Sequence, residues 1–190
     1  MKLLFVIGLI LFQSVGYGQG KILEYGESAS LIGYGIGTID GSNDYLHSIF
    51  YGYSFERKVD VDMRMGWIDD VKLIGGSITG YLDSSPLHCS TSLLFSRRVE
   101  DNADWNKGIN FTAFHSRTTS NDTFTPSAGF TFAGTEEYFI NFGIDLLINK
   151  SKSGLLLGME YNLAPEGDNS LGVIVGVLFH HGDKTKLNVK

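Results

Sequence analysis

Three stretches near the C-terminus, Tyr138 to Ile148, Leu155 to Leu163 and Leu171 to Phe179, constrain the fold more than anything else in the chain. Alternate residues read Tyr138, Ile140, Phe142, Ile144, Leu146 and Ile148, then Leu155, Leu157, Met159, Tyr161 and Leu163, then Leu171, Val173, Val175, Val177 and Phe179. No charge interrupts that face. The intervening positions are mixed and include Asn141, Asp145, Glu160 and Asn162 among glycines and leucines. Side chains that change face at every residue belong to β-strands. The separators are rich in Asn, Lys, Ser, Pro, Gly and Asp, which reverse the chain between antiparallel neighbours. An apolar face about 9 to 11 residues long with a polar back is what a strand crossing a bilayer in a closed barrel requires. The same alternation also suits a soluble sheet whose apolar face is turned to a core.

Val59, Val61, Met63, Met65 and Trp67 repeat the pattern earlier in the chain, opposite Asp60, Asp62 and Arg64. A small dry core would hold such charges only if they were closely paired and hydrogen-bonded. A membrane barrel instead turns the apolar face to lipid and keeps the polar face around its axis. Further strands are expected at Ala29 to Ile39, Tyr45 to Phe55, Val71 to Leu82, Thr91 to Arg98 and Ile109 to Ser116, with another beginning just after Pro126. Between Val71 and Leu82 two parities compete, Leu73, Gly75, Ser77, Thr79 and Tyr81 against Ile74, Gly76, Ile78, Gly80 and Leu82. The expected fold is all-β, an antiparallel transmembrane β-barrel of about eight to ten strands, because an even count closes the sheet and leaves no spanning edge.

Met1 and Lys2 precede an apolar run from Leu3 to Phe12, followed by polar residues and by Gly16 and Gly18. This has the charged start, apolar core and small-residue exit of a secretory signal, and the run is short for a helical span. The expected organisation is a signal over residues 1–18, a polar N-terminal lead over 19–28, one barrel over 29–181 and a polar tail over 182–190. The chain is acidic, with a formal charge of −6 that loses one more positive charge with Lys2. Such a balance argues against nucleic acid as a partner, since that binding leans on basic contacts to the backbone. Cys89 is the sole cysteine and forms no internal disulfide or cysteine-rich metal site. Glycine, 24 of 190 residues, exceeds the usual share of about 7% and permits close packing inside a narrow barrel.

From Ala29 to Phe179 the chain resembles the small outer-membrane β-barrel proteins of diderm bacteria, in its alternating strands and its secretory start. The resemblance implies residence in the bacterial outer membrane, termini facing the periplasm, and a non-enzymatic structural or surface-interaction scaffold or narrow channel. It also implies a terminal strand that finishes on an aromatic, for which Phe179 is the nearest candidate, although the chain continues to Lys190. The implied partners are outer-membrane lipids and a surface ligand or protein. Residues expected to face the lumen are Asp60, Asp62, Arg64, Asn141, Asp145, Glu160 and Asn162. Tyr45, Tyr53, Trp67, Tyr138, Tyr161 and Phe179 lie near strand ends, where an aromatic girdle would meet the lipid headgroups; ordinary strand packing is the plainer reading.

Two other functions stay open. Adjacent His115 and Ser116, with Asp145 or Glu160 as orienter, suggest a lipid hydrolase, but neighbours on an extended strand point to opposite faces. A secreted soluble barrel or sandwich would be a binding module with the Val59 to Trp67 face packed inward. The His180-His181 doublet lacks the convergence a metal site needs, and Asp101 to Asp104 lacks the longer calcium-loop pattern, so no metal or cofactor is expected.

Overall fold

The period-two stretches all become strands, and the strands close on themselves. In the computed structural model, which describes residues 19–24, 26–39, 44–83, 87–99, 104–133, 137–149, 152–165 and 169–181, the chain forms a single antiparallel sheet. Its strands are β1 (Ser28–Ile39), β2 (Tyr45–Phe55), β3 (Val59–Ile68), β4 (Val71–Asp83), β5 (His88–Arg98), β6 (Asn106–Phe114), β7 (Arg117–Thr118), β8 (Thr123–Ala133), β9 (Glu137–Ile148), β10 (Ser153–Leu163) and β11 (Ser170–His181). Each long strand pairs with its sequence neighbours, β6 pairs with β8, and β1 pairs with β11 from Ser28↔His181 to Ile39↔Ser170. Ten long strands therefore make an up-and-down barrel, and β7 is a two-residue strip on β8. The signal and tail regions expected at 1–18 and 182–190 lie outside the described residues.

The polarity of this barrel is inverted relative to a soluble domain. Val59, Val61, Met63 and Met65 stand on the outside, Met63 with 68% of its surface exposed, whereas Asp60, Asp62 and Arg64 are buried inside. The sandwich with Val59 to Trp67 packed inward is thus corrected: that face is the exterior. Ile144, Val175, Leu157, Phe142 and many other large apolar side chains share the outer surface. A continuous apolar exterior on this scale far exceeds the patches that soluble monomers present to water. Among the described residues no helix is long and apolar enough to cross a membrane.

Some strand boundaries differ from those expected. β5 starts at His88 and β6 at Asn106, so both are longer than their apolar residues suggested. β8 begins at Thr123 and contains Pro126 rather than following it. Pro126 pairs with Ile144 of β9, while on its other side β6 stops at Phe114 opposite Ser127 and β7 resumes opposite Phe124. The missing N–H of proline falls at this break in pairing, where a strand tolerates it. In β4 the odd residues Leu73, Ser77 and Thr79 are buried inside, and Ile78 and Leu82 are exposed outside, which resolves the two parities.

The β2–β3 reversal puts Glu56 and Arg57 at positive φ, 51° and 57°, with the Lys58 amide donating to the Phe55 carbonyl at 2.8 Å. Two successive positive φ values match the right-handed twist of the flanking strands. Lys58 Nζ donates to Glu56 Oε2 at 2.6 Å, and this hydrogen bond, reinforced by the lysine charge, holds the Glu56 carboxyl below its ordinary value.

Two glycines let adjacent backbones approach. A Cβ on Gly129 would sit 2.2 Å from the Phe111 carbonyl oxygen, and one on Gly76 would sit 2.2 Å from the Asp62 carbonyl oxygen. Backbone cannot swing aside as a flexible side chain does. Gly129→Val is expected to destabilise the folded barrel by about 1–3 kcal/mol, the usual scale of overpacking. Urea unfolding of the lipid-folded protein measures this; a variant as stable as wild type would mean that the strands are not so close.

Candidate functional site in the barrel lumen

Inward positions of a ten-stranded barrel converge on a narrow axis, so whatever occupies it decides between pore and solid scaffold. All seven polar residues expected there, Asp60, Asp62, Arg64, Asn141, Asp145, Glu160 and Asn162, are buried inside. Asp60, Asp62 and Arg64 are hydrogen-bonded on one wall, and Asn141 and Asn162 belong to a separate network. On β3, Arg64 Nε donates to Asp62 Oδ1 at 2.8 Å, and Ser77 Oγ of β4 donates to Asp62 Oδ2. Asp60 Oδ2 accepts from the Tyr81 hydroxyl at 2.5 Å and from the Gly20 amide at 2.8 Å. A charge this deeply buried is tolerable only with such partners.

The second network is uncharged and runs around the wall. Thr112 Oγ1 donates to Asn110 Oδ1 at 2.5 Å, Asn110 Nδ2 to Thr131 Oγ1 at 2.8 Å, and Thr131 Oγ1 to Asn141 Oδ1 at 2.8 Å. Asn141 Nδ2 donates to Asn162 Oδ1, and Asn162 Nδ2 to Ser170 Oγ at 3.1 Å. The chain of donors crosses β6, β8, β9, β10 and β11 in order. Each amide both gives and accepts, so the belt satisfies buried polar atoms without any charge.

Toward the end of the barrel where β1 starts and β11 stops, the terminal end, the lumen is filled by apolar residues and by the segment that precedes β1. Of residues 19–28, expected as a polar lead, Gln19–Lys21 form one 3-10 turn, and Lys21, Ile22 and Leu23 are buried inside the barrel. Ile22 and Leu23 join Ala29, Leu31, Phe50, Leu147, Leu156, Ile174 and Leu178 in one hydrophobic cluster. Gly20 lies against Tyr81, where a Cβ would come within 2.5 Å of the ring. The Lys21 carbonyl accepts from Ser116 Oγ and, at 3.4 Å, from Thr125 Oγ1. The Lys21 side chain borders a polar cavity of about 10 Å³ with Asn110, Thr112, Asn141 and Glu160, and its charge acts on both Asp145 and Glu160. That volume holds about one water molecule.

This arrangement corrects the hydrolase pair. Ser116 spends its hydroxyl on the Lys21 carbonyl and accepts a 3.0 Å bond from Thr125, while His115 lies on the exposed side with its amide donating to the Pro126 carbonyl. The two do not come together as nucleophile and base. Among the described residues there is no group of three or more His, Cys, Asp or Glu side chains arranged to hold a metal ion.

Tyr45, Trp67, Tyr138 and Tyr161 lie on the exterior toward the end opposite the termini, and Tyr53 and Phe179 toward the terminal end. His47 stacks on Trp67 with centroids 5.8 Å apart, and His181 stacks on Tyr53 at 5.5 Å. Lumen residues missed by sequence reasoning include Asn110, Thr112, Thr131 and Ser170 of the neutral belt, Ser77 and Tyr81, whose strand had no readable parity, and Lys21, whose segment has no periodicity.

No protein-family model matches the chain, and no curated protein matches it. Solved structures do match. The KdgM porin superposes with a TM-score of 0.51 at 10% identity, over 80% of this chain and 99% of that one. The translocator domain of the autotransporter NalP from Neisseria meningitidis gives 0.48 at 8% identity, over 85% and 91%. The outer membrane protein Omp33 of Acinetobacter baumannii gives 0.45 at 9%, over 83% and 100%. At this identity the likeness to the KdgM porin shows fold: the chain is a closed antiparallel barrel similar to known outer-membrane barrels.

Arg64→Ala would leave Asp62 buried without its cation. A loss of about 3–5 kcal/mol is expected, the scale for breaking one half of a buried pair, with a smaller loss for Asp62→Asn combined with Arg64→Met. Denaturant titrations of both variants in lipid test this, and equal losses would show that the pair is not coupled.

Proposed function

We propose that this protein is an outer-membrane barrel of a diderm bacterium that works as a closed scaffold, carrying its loops at the cell surface, with outer-membrane lipids as its immediate partners. The observation that carries the proposal is the inverted polarity of an edgeless sheet: large apolar side chains outside, charged and amide groups inside. In hydrocarbon every backbone donor and acceptor must be paired within the protein, and a closed barrel does this. The aromatics near the two ends suit the two headgroup regions, where amphipathic rings collect.

We place the termini toward the periplasm, as the resemblance to small outer-membrane barrels implies. The connections at the far end carry Asp44, Asp69, Asp70 and Asp104, whereas those at the terminal end mix Glu56 and Asp122 with Arg57, Lys58 and Lys152. A filled lumen supports a scaffold over an open pore, since Ile22, Leu23 and the leucines around them leave no wide path. A surface ligand or protein partner would meet the acidic loops.

Nitroxide labels at positions 63, 144 and 175 of the reconstituted barrel are expected to be accessible to oxygen and shielded from a water-soluble nickel chelate. Labels that are accessible to the chelate in the native protein would exclude the membrane reading. In planar bilayers the wild-type protein is expected to show no steady conductance. A stable ohmic channel would replace the scaffold by a pore.

A further inference from the structure

The outer wall carries one feature that a uniform lipid-facing surface lacks. Between β2 and β5 it is indented by an apolar groove of about 410 Å³, lined on the outside by Ile49, Met63, Met65, Ile74, Phe95 and Trp105. Gly76 takes the outward position between Met63 and Phe95, where a Cβ would come within 3.1 Å of the Phe95 ring.

At the loop-side end of this groove three cations face outward on three successive strands. Lys72 of β4 follows the same parity as Ile74, Arg97 of β5 lies opposite Ile74, and Lys107 of β6 lies opposite Phe95. Lys72 and Lys107 are exposed. The Arg97 guanidinium sits over the Trp105 ring, 5.0 Å from its centroid, and its Nε is buried with no hydrogen-bond partner. Among the described residues no ion pair engages any of the three. The acids of this end, Asp69, Asp70 and Asp104, lie in the connections beyond them, so the cations form a basic band between the acidic loops and the apolar groove.

We infer that this juxtaposition is a binding site for a phosphorylated lipid of the outer leaflet, with its phosphate on Lys72, Arg97 and Lys107 and an acyl chain in the groove below. The inference rests on the membrane reading and orientation proposed above. The ligand class follows from complementarity: the groove is lined mainly by apolar side chains, and three cations clustered at one rim match a polyanionic headgroup rather than a zwitterionic one. With its Nε buried against Trp105, Arg97 can meet a phosphate through the N–H donors of its terminal nitrogens. Trp105 fixes the guanidinium plane, so less freedom is lost on binding.

The test uses the full chain in nanodiscs of phosphatidylcholine doped with a bisphosphorylated, hexa-acyl glucosamine disaccharide lipid. Retained lipid is read by native mass spectrometry after a detergent wash, and Trp105 fluorescence is followed in a Trp67→Phe background. Wild type is expected to retain the phosphorylated lipid. The triple variant Lys72→Gln, Arg97→Gln, Lys107→Gln is expected to bind it on the order of 100-fold more weakly, about fivefold for each cation near the membrane surface. A dephosphorylated lipid with the same chains should lose as much on wild type. Equal retention by wild type and triple variant, equal retention of the two lipids, or a Trp105 response to inorganic phosphate alone with no preference for the lipid would each overturn the inference. A wild-type barrel that inserts, as judged by its heat-dependent migration, yet retains no lipid would overturn this site and leave the membrane reading standing. A chain that does not insert would remove both.

Discussion

The pairing of β1 with β11 is the interaction on which the rest of the molecule depends. It runs the length of both strands, from Ser28↔His181 to Ile39↔Ser170, and removes the last free row of amides and carbonyls. Without it, β1 and β11 would each present an open edge, which is costly in hydrocarbon and prone to pairing with other chains in water. Once the ring is shut, each residue is either inside or outside, and period two makes that choice alternate without exception along a regular strand. The segregation of Asp62 from Met63, or of Asp145 from Ile144, is therefore a consequence of closure plus parity. No local preference of those residues is needed.

Closure also creates the problem that the interior solves. A ring of this size has an axis too crowded for a continuous water column and too polar for hydrocarbon, because the inner face carries Asp60, Asp62, Arg64, Asp145 and Glu160. The chain separates its remedies by position. Charges on β3 are met by side chains of β4 and by a backbone amide of the N-terminal segment; the far wall uses amides and hydroxyls that satisfy one another; the terminal end is packed with aliphatic side chains. Each remedy suits the chemistry next to it, so one lumen holds a paired ion, a neutral hydrogen-bonded belt and a hydrophobic cluster.

How much of this could be read in the sequence depended on contrast between neighbouring residues. β3, β9, β10 and β11 set bulky apolar residues against charges and amides, and both their extents and their faces were legible. β4 was not, since Gly75, Gly76, Ser77, Thr79 and Gly80 present small side chains on both faces and only the register with β3 and β5 assigns them. Pro126 misled for a related reason: its usual effect on a strand depends on whether a neighbour needs its N–H, and the gap between β6 and β7 is visible only in three dimensions. The residues around Lys21 carry neither period nor motif. Their place inside the barrel comes from long-range contacts to Asp60, Ser116 and the leucines, none of which is near in sequence.

That N-terminal segment is joined to β1 by only a few residues, Glu24 to Glu27, and so it is a ligand on a very short leash. A tethered group experiences a high effective concentration at its own receptor, on the order of millimolar for short flexible links. One amide to Asp60, one carbonyl to Ser116 and Thr125, and two aliphatic side chains are a modest set of contacts for a free peptide. On a leash they need not be strong. Occupancy of the barrel mouth is then governed by chain connectivity more than by contact strength, and a competing soluble molecule would have to outbid a neighbour that never diffuses away.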